Sequence, residues 1–127
     1  MILGPNLFPT RASVPGAPDA YVKVSVNGGP KQDGAAIIDS GGVYGTLNRS
    51  LFPGAQPGDS YVPAGTKIDV YTADGATLLY SYTTQADSTE FISEGLFNTG
   101  NAPYALNPIY LDYSTPYGIG STKFSIY

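Results

Sequence analysis

The chain has 127 residues, a formal net charge of −4, and neither His nor Cys, which removes Ser-His-Asp and Cys-His nucleophilic catalysis and the usual zinc ligands. Six Lys and Arg in all leave no basic patch to neutralise phosphates, so the composition argues against nucleic acid and anionic membrane surfaces as partners. With 16 Gly, 11 Pro, 11 Tyr and only 13% charged residues, the chain reads as one all-β domain with many turns, long enough to bury a core without metal or disulfide.

Pro5, Pro9, Pro15 and Pro18, with Gly4 and Gly16 among them, predict an extended connector over residues 1–19 and a globular unit over 20–127. Tyr21 to Val26 alternates, Val22, Val24 and Val26 on one face and Lys23 and Ser25 on the other, as a half-buried strand does. Asn27-Gly28-Gly29-Pro30 turns the chain. The continuous run from Gly34 through Ile38 ends in Asp39 and predicts a strand buried on both faces with the acid at its tip. Thr66 to Tyr71 and Thr77 to Tyr82 flank Asp74-Gly75, a β-hairpin signal. A short helix is expected around Asp87 to Leu96, where Ser88 could cap and Glu90 lies near the start. Pro108 to Tyr113 and Ser121 to Tyr127 read as two further strands across a turn-rich Ser114 to Gly118. The fold class is thus all-β with at most one short helix.

No segment approaches the roughly 20 apolar residues of a membrane span, and residues 1–5 lack the basic and apolar regions of a signal peptide. The absence of Cys fits either a reducing compartment or an exported protein that avoids thiols. Asn48-Arg49-Ser50 matches a glycosylation sequon, a tripeptide common by chance.

Carboxylates, Lys, Tyr and hydroxyls are the chemistry left. Asp39-Ser40-Gly41-Gly42 is the sharpest candidate. An acid at a strand tip, a hydroxyl beside it that can hydrogen-bond within a tight loop, and a glycine that lets backbone approach the carboxylate suit a general base. The same residues are also ordinary turn formers. As a base, Asp39 would need a second carboxyl group beside it holding a proton, because two like charges about 3 Å apart cannot both ionise. Asp69 reads as a solvated strand face, Asp74 as a turn former and Asp112 as a strand end. Tyr44, Tyr71, Tyr80 and Tyr82 read as half-buried sheet residues rather than a peptide groove. A carboxylate glycosidase would need a second acid about 5 to 10 Å away, and nothing in the spacing nominates one.

Val24 to Pro30, Ala36-Ile37-Ile38-Asp39-Ser40-Gly41-Gly42-Val43-Tyr44-Gly45-Thr46, Phe97 to Tyr104 and Pro108-Ile109-Tyr110 together resemble aspartic peptidases, specifically the pepsin-like or retropepsin-like domains at the C-termini of mycobacterial PE and PE-PGRS surface proteins. The resemblance spans most of residues 20–127. It implies a single lobe of an acid-protease β-barrel, in which each of two lobes contributes one Asp, Gly100 sits in a ψ-shaped loop and the strand Ile109 to Asp112 follows it. Asp39 would be catalytic, with Ser40 and Gly41 shaping its loop and no cofactor or metal. Ile2-Leu3-Gly4 resembles the element that closes a first lobe, so that lobe, with its own Asp, is expected upstream. The implied partners are a peptide or protein substrate and either that missing lobe or a second copy; without one of these the chain is expected to be inactive. The implied location is the cell surface or secreted fraction. Two residues depart from the pepsin pattern: Gly42 replaces a Ser or Thr, so one carboxylate oxygen loses a hydroxyl partner, and Asn98-Thr99 replaces an apolar pair before Gly100. The competing reading is a non-catalytic β-rich module that binds peptide or glycan at a surface.

Overall fold

The computed structural model describes residues 4–86, 90–114 and 118–126. Its strands are β1 (Thr10–Pro15), β2 (Asp19–Val26), β3 (Gln32–Ile37), β4 (Thr46–Asn48), β5 (Lys67–Thr72), β6 (Leu78–Thr83), β7 (Phe91–Ser93), β8 (Phe97–Asn98), β9 (Ile109–Asp112) and β10 (Ser121–Ser125). A 3₁₀ turn at Arg49–Leu51 and a five-residue helix, α1 (Ala102–Leu106), complete the described elements. The all-β expectation holds. No helix among the described residues is long and apolar enough to cross a membrane.

Local chemistry builds the hairpins. Val22, Val24 and Val26 of β2 are buried while Tyr21 is exposed, the period-2 pattern of a pleated strand. Asn27 and Gly28 both take left-handed backbone, at φ 51° and 73°, which reverses the chain with the twist that β2 and β3 require. Between β5 and β6, Asp74 accepts from the Thr72 hydroxyl and the Ala76 N–H, closing the predicted Asp74-Gly75 turn.

Long-range pairing then assembles two sheets. One is antiparallel, in the order β1-β10-β9; the other has seven strands in the order β6-β5-β2-β3-β8-β4-β7. In the larger sheet β8 is threaded between β3 and β4, parallel to β3 (Ala36↔Phe97) and antiparallel to β4 (Thr46↔Asn98). The chain therefore leaves β3, loops through residues 38–45, returns as β4, and later sends β8 into the gap. This is the ψ arrangement the resemblance implied. Val24, Ile68, Val70, Leu47, Phe97 and Phe124 are almost wholly excluded from water, and burying each such side chain stabilises by about 1.5–3 kcal/mol.

Four local expectations differ from the structure. Within the stretch read as a connector, Thr10–Pro15 pairs with β10 and buries Val14, so the folded body begins before Ala20; strands tolerate proline at their ends and on sheet edges. Instead of a helix around residues 87–96, Phe91–Ser93 pairs in parallel with β4, because cross-strand pairing overrides a capping signal. Asp87 and Ser88 lie outside the described residues, as do Ile2 and Leu3; the helix that forms, α1, has Pro103 in its first turn, where a missing N–H costs nothing. Ala35 and Ile37 are only half-buried, so β3 is not covered on both faces. Finally, Ser25 and Asp69 are buried rather than solvated. They are cross-strand neighbours, with Ser81 opposite Asp69 on the other side, and Ser81 and Lys67 supply the carboxylate with partners.

Asp112, at the end of β9, accepts from the Lys123 ammonium at 2.7 Å and from the Ser114 N–H at 2.9 Å and hydroxyl. The Lys123 bond first, then those from Ser114, hold its carboxyl well below the usual range. The unfolded value is about 3.9, so this stabilisation is complete above about pH 5 and is lost as the pH falls through 4 and below. Asp112→Asn should flatten the acid limb of urea-unfolding stability measured between about pH 2 and 6 and leave the neutral slope unchanged; an unaltered acid limb would show that other carboxylates carry it.

Candidate active site

The tip of β3 is pinned from three directions. The Ile38 N–H donates to Pro18 O at 3.0 Å, the Tyr104 hydroxyl donates to Ile38 O at 3.3 Å, and the Thr99 N–H donates to Ile37 O at 3.1 Å. Beyond this anchor Asp39 is half-exposed. Its Oδ1 accepts from the backbone N–H groups of Gly41 (2.8 Å) and Gly42 (3.2 Å), and its Oδ2 accepts from the Asn98 side-chain amide at 3.0 Å. The Asp39 N–H donates to the hydroxyl of buried Thr99 at 3.3 Å. Asn98 first, then Gly41, with a smaller contribution from Gly42, holds the Asp39 carboxyl below its ordinary range against a desolvation that opposes them. Each of these donors favours the ionised form.

Loop and ψ strand are interlocked at glycines. A Cβ on Gly45 would fall 2.0 Å from Asn98 O, and one on Gly100, at φ 55°, would fall 2.9 Å from the Tyr44 carbonyl carbon. Neither position has room for a side chain. The two backbones approach closely enough to bring Asn98, from β8, against a carboxylate that follows β3.

Of the residues nominated from sequence, Asp39 and Gly41 are joined by a hydrogen bond. Ser40 is exposed, and its hydroxyl makes no hydrogen bond among the described residues. Val43 and Tyr44, just beyond, are 69% and 48% exposed; Tyr44 is a loop residue, not part of a sheet. Tyr80 and Tyr82 stack with ring centroids 6.1 Å apart, and Lys31 lies 4.0 Å over the Tyr71 ring, both structural roles. Asp112 belongs to the other sheet. None of the hydrogen-bond or charge partners of Asp39 among the described residues is a second carboxylate. Nor do the described residues contain a cluster of acids able to hold a metal ion.

Three contributors escaped sequence reasoning. Asn98 and Thr99 stood out only as departures from an apolar pair, yet they hold the Asp39 side chain and backbone. Tyr104 stands beside the site; burial, then Tyr113 and the Asp39 charge, push its phenol upward. The combination of Gly42 without a hydroxyl and Asn98 with an amide was the available signal. It joins residues 56 positions apart in sequence, and only the fold shows that they meet.

Comparison with known proteins points the same way. The family model described as the PE-PGRS C-terminal aspartyl peptidase-like domain matches residues 1–122. PE cleavage protein A of Mycobacterium tuberculosis, in strains H37Rv and CDC 1551, is 41% identical over 125 residues, covering 98% of this chain and 21% of that protein. The Mycobacterium marinum protein of the same name is 43% identical over 127 residues, covering 99% and 22%. The chain thus spans about a fifth of the length of these relatives.

Proposed function

Since the chain belongs to the family of PE-PGRS C-terminal aspartyl peptidase-like domains, we propose that it is one lobe of an aspartic endopeptidase, Asp39 supplying one of two carboxylates that activate water against a peptide bond. The observation that carries this reading is the Asp39 carboxylate itself, immobilised by three donors beside the exposed apolar Val43 and Tyr44. A surface turn of a binding module needs neither the ψ-threaded strand nor a side-chain donor on the acid. An apolar rim around a fixed carboxylate is what a docking second half requires.

In the proposed reaction the two acids share one proton and titrate as a pair. The donors around Asp39 favour its ionised form, so opposite a different acid the shared proton is expected on that partner, whereas in a symmetric dimer the two Asp39 carboxylates are equivalent and share it until substrate binds. Asp39 takes a proton from the attacking water, the other acid polarises the scissile carbonyl, and no covalent intermediate forms. The second acid comes from a first lobe elsewhere in a longer chain, as in pepsin-like enzymes, or from Asp39 of a second copy, as in retropepsin-like ones. The substrate is a peptide or protein, met at the cell surface or after secretion, a location that the match to the PE-PGRS family supports.

The test combines light scattering of the 127-residue chain, at neutral and mildly acidic pH, with a quenched peptide library on the same samples. A dimer that cleaves and is blocked by pepstatin supports the homodimeric form. A silent monomer that gains cleavage when a relative's preceding segment is supplied supports the two-lobed form. A chain that cleaves in neither setting yet binds peptide would return the reading to a surface binding module.

A further inference from the structure

We propose that Asn98 is the positioning residue for Asp39, supplying from β8 the donor that a hydroxyl at position 42 would otherwise give to the carboxylate. This deepens the peptidase reading and rests on it for its catalytic meaning. The Asn98 amide is itself oriented: its Oδ1 accepts from the Gly100 N–H at 2.8 Å, which leaves Nδ2 facing Asp39 Oδ2 at 3.0 Å. A flipped amide would set N–H against N–H and oxygen against a carboxylate, so both contacts select the same orientation.

The backbone under Asn98 is fixed as well. Its N–H donates to the Thr46 hydroxyl at 3.3 Å, that hydroxyl donates to Leu96 O at 3.0 Å, and Gly45 lies against its carbonyl. Position 42 is tight for a side chain, because a Cβ there would fall 3.0 Å from the same Oδ2 and 3.3 Å from Gly100 Cα, so the carboxylate or the loop would have to give by a few tenths of an ångström. Close packing of the loop and a donor from the neighbouring strand therefore go together. A donor held in this way fixes the plane of the carboxylate before substrate arrives, and a charge-assisted bond is among the stronger kinds.

Two variants test the proposal. Asn98→Leu keeps the branched heavy-atom outline, with bulkier methyl ends, and removes the amide; Asn98→Asp keeps the acceptor for the Gly100 N–H and removes the donor to Asp39. The Asp39 carboxyl carbon is followed by ¹³C NMR through a pH titration of the 127-residue chain, with a thermal melt to confirm folding. Both variants are expected to raise the Asp39 pKa toward or above the ordinary Asp value. In whichever assembly cleaves peptide, kcat should fall about 10- to 100-fold with KM little changed. Folded variants whose Asp39 titration matches wild type would overturn the proposal, since a purely structural Asn98 would alter the melt alone. The titration needs no cleavage. A shifted Asp39 in a chain that never cleaves would uphold the positioning role and discard the peptidase reading, and an unmoved Asp39 in an active enzyme would do the reverse.

Discussion

Asp39→Asn is expected to lower kcat of the assembled peptidase by about 10³-fold or more, within or beyond the usual span of a lost general base, and to leave KM nearly unchanged. The substitution keeps the shape of the side chain and an oxygen to accept from the Gly41 and Gly42 N–H groups. It removes the only group in this loop able to take a proton from water. It also sets an amide against the Asn98 amide in place of a carboxylate oxygen, but with neutral partners the misfit is local, and the melt should change little. The measurement is kcat and KM on a quenched peptide, with wild type and variant prepared in the same assembly. Wild-type turnover in the variant would sink the assignment. A binding module predicts instead that peptide affinity is indifferent to Asp39.

A large loss of folding stability is expected from Gly45→Ala. The added Cβ would sit 2.0 Å from Asn98 O and 3.0 Å from the carbonyl carbons of Asn98 and Thr99. All of these are backbone atoms of β8 or of the residue directly after it, and β8 pairs with both β3 and β4. No rotamer can relieve the contact. Overpacking usually costs about 1–3 kcal/mol and sometimes more; here relief means separating β8 from the loop, so the top of that range or above is expected. In a domain of this size that lowers Tm by about 10 °C or more. Gly54→Ala is the control, because a Cβ there meets the Phe52 ring at an ordinary 3.7 Å and should leave Tm within about 2 °C. Equal melts for the two variants would mean that the loop and β8 are not locked together. In the Gly45 variant the Asn98 amide should also withdraw from Asp39, so its titration should move in the direction expected for Asn98→Leu.

What the sequence by itself determined is what short-range chemistry controls. The alternating valines define β2, Asp74-Gly75 closes the β5–β6 hairpin through an Asx contact, and the apolar run before Asp39 places an acid at a strand tip. The glycine two residues on gives that acid a backbone donor. Each is decided within a few residues, where dihedral preference and local hydrogen bonding dominate. The tertiary structure decided the rest. Phe91–Ser93 became a strand, not part of a helix, because β4 was there to pair with it. Thr10–Pro15 was drawn from a proline-rich stretch into a sheet by β10. Asp69 was buried because Ser25 and Ser81 lie across from it. The two-residue β8 carries no periodicity that could announce it, yet its insertion between β3 and β4 brings Asn98 to Asp39 and turns an exposed acid into a fixed carboxylate. Pairings between distant segments depend on which strands are available as neighbours, and that information is not contained in any window of the sequence.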